Sequence, residues 1–592
     1  MSQEKKGEIQ KASDRNTRRN VLKAMAGGSA LAIGSLAQPV AQAAIGGSKP
    51  WSMQADVIVV GSGAAGSAAA IAAAKNGASV IMLEKMPFLG GTTAKSDGVF
   101  WIPNNPLLKS RGIVDERIDA LRYMVRLSYP TRYDPEDKWL GVSEKEFSLI
   151  ATFFDNGDKV IEKLQAAGAL KIASWKNWEG DYFTDYHSPL PEDKVPQGRS
   201  LMAKVAGEPN FTGGGNGAEL LRQLHAVFDQ LKIKTYLQHR VQKLIRNVHG
   251  DVIGVEVERD EGGAINIQAR KSVIFCSGGF TNNPDMCNRF LRGHIWGGGA
   301  APGSTGDFIN IAATAGAALG NMSNAWWGQV PVEVALKTRS VPQNVWVVPG
   351  DSTIQVNRFG RRFVNEKGLY NERTQAHFYW DAVRDEYPNL LGFMIWDARN
   401  AKLFPGISPI PPANTDADHV IKGDTLDELA VNLAARLAKL TSHTGGVKLD
   451  ASFLGNLKES VVRFNEFSKQ GVDGDFARGA TPAQIGFHLY GRKKDPSPHP
   501  NPTMYPISES GPYYAAILGA GTLDTKGGPI INSKGQVMNT FGEVISGLYG
   551  AGNCIASPAG QAYWAGGGTI GPALTYGYLA GENAAKEHPK TA

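Results

Sequence analysis

The 592-residue chain has only three cysteines, Cys276, Cys287 and Cys554. So sparse and odd a set excludes a disulfide scaffold. Cys276 lies inside an apolar run, and all three read as buried thiols. There is no C-x-x-C-H motif, so no c-type haem attaches to this chain. No clustering of His, Cys, Asp and Glu points to a metal site. Long apolar runs are missing too. The Gly/Ala-rich stretch from Ala24 to Ala37 is too short to span a bilayer. Excess charge is small. Of the formal net +6, residues 1–43 hold seven Lys/Arg against three Asp/Glu, leaving the rest of the chain at about +2. That balance excludes a nucleic-acid partner. Internal repeats and low-complexity segments are absent.

Glycine, in contrast, is abundant, with 70 residues. The organising stretch runs from Asp56 to Lys85, DVIVVGSGAAGSAAAIAAAKNGASVIMLEK. An apolar β-branched run is followed by Gly61, Gly63 and Gly66 in G-x-G-x-x-G spacing, an Ala-rich helix, a second strand and Glu84. This is a complete βαβ unit for a dinucleotide. Gly61 permits the tight turn, Gly63 admits a pyrophosphate and Gly66 lets helix and strand pack. Ser62, Ala64 and Ala65 complete the loop at a helix N-terminus whose free N–H groups suit phosphate. Glu84 accepts hydrogen bonds from a ribose, with Lys85 beside it. Gly90, Gly91, Thr92 and Thr93 form a second loop, which points to FAD. The strand ending at Gly278 and Gly279 is expected to run back beneath the adenine, and Val241 is placed with it. Near the C-terminus, Gly552 and Asn553 follow another strand. A glycine run then opens a helix at Thr569 and Ile570, positioned to hold the flavin.

Arg18-Arg19-Asn20-Val21-Leu22-Lys23, followed by Ala41-Gln42-Ala43, is a twin-arginine export pattern with an A-x-A cleavage signature. Residues 1–43 are expected to be a signal peptide and the mature enzyme to work in the periplasm or otherwise outside the cytoplasm. The remainder is too long for one core. The expected domains are FAD-binding (54–295 and 500–590) and substrate-binding (300–499). Residues 106–240 look mainly helical, with Ser143 and Glu146 forming a capping box. Residues 251–258 and 264–268 read as a hairpin, and 271–280 as a further strand. A helix is expected from about 303 to 318, and 355–366 reads as strand, turn, strand.

The last 85 residues complete a resemblance. The chain is similar over essentially its whole mature length to the fumarate reductase and 3-ketosteroid dehydrogenase superfamily of FAD enzymes. It most resembles the 3-ketosteroid Δ1-dehydrogenase (3-oxosteroid 1-dehydrogenase) branch. The segment from Gly90 to Asn105, GGTTAKSDGVFWIPNN, looks like that branch's Gly-Gly-[ST]-[ST]-Ala…Trp-[IV]-Pro segment, with Asp97 and Phe100 as departures. Tyr370 stands where fumarate reductases place a catalytic Arg, four residues after Asn365-Glu366. Tyr563 and glycines stand where they present His and Arg.

The resemblance implies an α/β fold: a Rossmann-like FAD-binding domain of the GR2 flavoprotein type with an inserted α+β catalytic domain. It implies desaturation of C1–C2 beside a 3-ketone. Tyr563 and the Gly567 N–H would grip the ketone oxygen, Tyr370 would take the C2 proton with help from Tyr186, and FAD N5 would take the hydride. Tyr182 is the reserve for Tyr186, and Arg373 is the candidate for a displaced catalytic Arg. The implied partners are a small ketone, an external electron acceptor (a quinone or redox protein) and the twin-arginine export machinery, with no stable membrane span. Two alternatives stay open: an exported fumarate- or urocanate-type reductase, and a desaturase of a smaller cyclic ketone.

Overall fold

The computed structural model describes residues 50–177, 180–205, 216–488 and 498–591. The export pattern lies outside them. The β-branched run forms β1 (Trp51–Val60), the Ala-rich run forms α1 (Ala64–Lys75), and β2 (Val80–Leu83) follows. β1 and β2 pair in parallel from Val57↔Val80 to Val60↔Leu83. Strand Lys234–Tyr236 extends the sheet beyond β2. On the other side β3 (Ala264–Phe275) runs parallel to β1, and β4 (Val544–Gly550) parallel to β3. The apolar character of β1 and β2 follows from this arrangement, since parallel strands are covered on both faces. The C-terminal helix α2 (Ile570–Lys586) packs along α1. The alanines of α1 from Ala68 to Ala73 are consequently fully buried.

A second, antiparallel sheet has Tyr513–Gly519 at its centre. That strand pairs with Leu391–Asp397, Val330–Pro331 and Ile421–Gly423. Helices Leu426–Lys439 and Phe453–Gln470 bury apolar stripes in the same core as this sheet. A two-stranded ladder, Ala325–Trp327 with Thr522–Thr525, brings Trp326 and Asp524 to the same place.

Several expectations need correction. Residues 264–268 and 271–275 are one strand, β3, because β1 pairs along nearly its whole length while Val252–Arg259 pairs with its first part. The helix expected over 303–318 spans only Asp307–Thr314, ending before Gly316 at φ +82°. After Thr353–Val356 no second strand forms. A single bridge joins Val356 to Arg362, because Arg362 turns inward to pair with Glu366 and Asp473. Within the supposedly helical 106–240, strands Ile172–Ser174 and Ser200–Ala203 form a small sheet with Phe100–Trp101. Tyr513–Gly519, expected in the first domain, is the centre of the second sheet. The Ser143 capping box forms with both of its hydrogen bonds.

Candidate active site

A cavity of about 560 Å³ collects most of the residues singled out above. Of the expected cofactor residues, Gly61, Ser62, Gly63, Ala64, Ala65, Glu84, Lys85, Gly91, Thr92, Thr93, Val241, Gly278, Gly552, Asn553, Thr569 and Ile570 line it. Gly66, Gly90 and Gly279 support it from behind. A Cβ on Gly66 would lie 1.9 Å from the Gly61 carbonyl oxygen, so only glycine lets α1 start this close to β1. Gly90 donates its N–H to Ser62 Oγ at 2.8 Å, and Gly279 donates to Asp524 at 3.0 Å. Glu84 is held in place by Ser62, whose hydroxyl donates to it at 2.6 Å.

Tyr186, Tyr370, Tyr563 and Gly567 line the same cavity. The hydroxyls of Tyr186 and Tyr370 share a hydrogen bond of 2.8 Å. The Tyr563 ring lies 5.2 Å from Tyr370 and 5.4 Å from Tyr186, centroid to centroid. Thr569 Oγ1 approaches the Tyr563 hydroxyl at 3.4 Å. All three rings are buried. Burial raises all three hydroxyl pKa values above the ordinary tyrosine range, those of Tyr186 and Tyr370 strongly. A free tyrosinate is therefore disfavoured, and a proton shared across the Tyr186–Tyr370 bond is the accessible form of a base. Tyr370 opens the short helix Tyr370–Gln375. Arg373 does not line the cavity. Its guanidinium donates to the carbonyls of Gly368 and Val345 and to Gln329, bracing the backbone around Tyr370. Tyr182 sits apart, beneath Arg111 and Lys176.

A model of the FAD binding domain family matches residues 56–570. The chain is 31% identical to the 3-oxosteroid 1-dehydrogenase of Mycobacterium tuberculosis, over 89% of this chain and 97% of that one. The chain belongs to the FAD-dependent 3-oxosteroid 1-dehydrogenase family. It is also 28% identical to the 4-oxocyclohexanecarboxylate 2-dehydrogenase of Sinomonas cyclohexanicum, over 90% of this chain and 92% of that one. The solved 3-ketosteroid Δ1-dehydrogenase of Sterolibacterium denitrificans, in complex with 1,4-androstadiene-3,17-dione, superposes with a TM-score of 0.73 at 25% identity. That match covers 90% of this chain and 99% of the other.

The residues of this family member fit FAD. The N-terminus of α1 opens on the cavity, where its backbone dipole suits a pyrophosphate. A side chain at Gly63 would fill the space beside Thr93, 3.3 Å from its hydroxyl. Lys85 and Arg240 both pair with Asp307 at the wall.

Sequence reasoning gave no role to three contributors. Asp524 is buried and accepts from Gly279, Thr281 and Asn553, with burial raising its carboxyl pKa. Nothing in the sequence around it marks it out. Lys526 is buried, donates to the Ala562 carbonyl just before Tyr563, and sits over the Trp326 ring at 3.9 Å. Burial lowers its ammonium pKa well below the usual range. Its place ahead of the glycine pair Gly527-Gly528 was the available signal. Asp97 lines the cavity near Tyr186 and Tyr563, and burial pushes its carboxyl pKa up to about 6.

Proposed function

We propose that this enzyme removes hydrogen from C1 and C2 of a 3-ketosteroid, leaving a C=C bond beside the ketone. The observation that carries this reading is the hydroxyl pair of Tyr186 and Tyr370, 2.8 Å apart, in one cavity with Tyr563 and Gly567. The Tyr563 hydroxyl and the Gly567 N–H hold the ketone oxygen and stabilise the negative charge that builds on it as C2 loses its proton. The pair reacts after releasing one of its two hydroxyl protons to solvent: the remaining proton is shared between the two oxygens, the negative charge is spread over both rather than held on one tyrosinate, and Tyr370 takes the C2 proton. When bound in the glycine cradle, FAD supplies the acceptor for the C1 hydride.

The fumarate-type alternative fits the cavity less well, because the lining cations are engaged. Lys85 and Arg240 face Asp307, and Lys95 donates to Ser340 and the Val341 carbonyl. Arg373 braces backbone. Asp97 opposes an anionic substrate, which also disfavours small oxo-carboxylates. A neutral ketone meets neither objection.

We further infer a twin-arginine leader over residues 1–43, extracytoplasmic action and reoxidation by a quinone or redox protein. The Arg18-Arg19 pattern and the A-x-A site support export. The absence of a haem-attachment motif supports an external acceptor.

The test is anaerobic mixing of FAD-loaded enzyme with androst-4-ene-3,17-dione. Bleaching of the flavin with formation of a 1,4-diene, lost in Tyr370→Phe, is the expected result. No bleaching, with reoxidation of reduced enzyme by fumarate, would move the assignment to a reductase.

A further inference from the structure

Behind the tyrosines lies a fully buried charge cluster that the chemistry above does not use. The Arg199 side chain and its partners Asp115, Asp185 and Asp193 are all 0–1% exposed. Arg199 grips Asp115 with two parallel bonds, from Nε at 2.8 Å and Nη2 at 2.7 Å. Its Nη1 donates to Asp185 at 2.8 Å and to Asp193 at 2.7 Å. The other oxygen of Asp185 accepts from Trp101 Nε1 at 2.9 Å.

Two chain connections make the cluster relevant to catalysis. Asp185 directly precedes Tyr186. Trp101 donates its backbone N–H to the Gly567 carbonyl at 3.0 Å, and Ser200, the residue after Arg199, donates to the Gly566 carbonyl at 2.8 Å. Gly567 sits at φ +94°, and a Cβ there would lie 2.5 Å from Trp101 N, so the two backbones are locked together. One guanidinium thus fixes both the start of the proton-accepting pair and the backbone of the ketone-gripping loop.

Stability is a poor reason to bury such a cluster. Taking four charges out of water costs several kcal/mol per ion, and an apolar replacement of similar volume is often as stable. With three carboxylates on one guanidinium, burial and mutual repulsion raise the pKa values of Asp185 and Asp193. Both Asp185 oxygens accept N–H donors, whereas Asp193 Oδ2 has no partner. With both oxygens engaged, Asp185 is a rigidly held strut between Arg199 and Trp101.

We propose that Arg199 is a positioning residue for the desaturation, setting Tyr186 and Gly567 relative to each other through Asp185 and Trp101. This rests on the ketone-desaturase reading. A displacement of about 1 Å between such groups costs on the order of 100-fold in rate.

The experiment compares wild type with Arg199→Lys and Trp101→Phe, all FAD-loaded. Lysine cannot span three carboxylates. Phenylalanine removes the Nε1–H bond to Asp185 and part of the indole packed on Tyr123, Phe153 and Trp564, and keeps an aromatic ring in place. Flavin content, kcat and KM for flavin reduction by the ketone, and the isotope effect with C2-deuterated ketone are measured. The expected result for Trp101→Phe is normal flavin content, KM within about twofold of wild type, kcat down about 10-fold and a larger C2 isotope effect. Arg199→Lys loses about 100-fold in kcat. Wild-type rates in both variants would overturn the proposal. So would a rate lost only in proportion to lost flavin, which marks a purely structural cluster. If wild-type enzyme is reduced by no cyclic ketone, the desaturase reading falls and this assignment with it. If wild type is reduced and the variants match it, only this assignment falls.

Discussion

Tyr186 and Tyr370 are 184 positions apart in the chain, and their hydroxyl oxygens lie 2.8 Å apart in the fold. Tyr186 comes from the loop between strands Ile172–Ser174 and Ser200–Ala203, and Tyr370 from the start of a short helix braced by Arg373. Each hydroxyl is the other's hydrogen-bond partner, and both side chains are buried. Neither tyrosine alone has an obvious way to give up its proton there.

Replacing Tyr370 with Phe removes the proton acceptor and keeps the ring packing. Flavin reduction by the ketone should slow by about 10²–10⁴-fold, the usual worth of a positioned acid–base group. FAD content should stay normal. Tyr186→Phe should lose less, because Tyr370 remains. Stopped-flow bleaching at saturating ketone measures both, and equal losses in the two variants would contradict the assigned order of transfer.

Tyr563→Phe removes a donor to the developing oxyanion. A loss of about 10²–10³-fold in kcat is expected, as for one donor of an oxyanion hole. A change confined to KM would instead make Tyr563 a binding residue only.

Asp97 gives the fold a signed pH dependence. Its carboxyl pKa is raised to about 6 by burial, so the folded state holds the proton more tightly than the unfolded chain. The resulting stability is fully present below about pH 4 and is lost as pH rises through 6. Asp97→Asn should therefore raise the melting temperature of the purified protein more at pH 7.5 than at pH 5. An equal shift at both pH values would show that Asp97 is not perturbed.

The cysteines should be silent in the native protein. All three thiols are free and buried, and burial raises their pKa values, that of Cys554 to about 12. A thiol reagent should label none at pH 8 in the folded enzyme and three after denaturation. Rapid native labelling would place a thiol at an accessible surface.

Features whose physics is local are legible in the amino-acid order alone. The turn at Gly61, the helix start at Ala64 and the closing strand at Val80 follow from glycine spacing and apolar periodicity within one βαβ unit. The Ser143 cap needs only four consecutive residues. Family resemblance added the tyrosines as names on a list of positions.

What those positions touch depends on the assembled fold. The second half of the 355–366 hairpin does not form: Arg362 turns inward to pair with Glu366, and a single bridge to Val356 is all that remains of the ladder. Arg373, a plausible catalytic residue by sequence distance, is turned away by the carbonyls it serves. Asp524 and the Arg199 cluster carry no local signature, and Lys526 only the two glycines that follow it. Most of their partners lie tens to hundreds of residues away, and burial makes each of these contacts obligatory once the sheets have assembled.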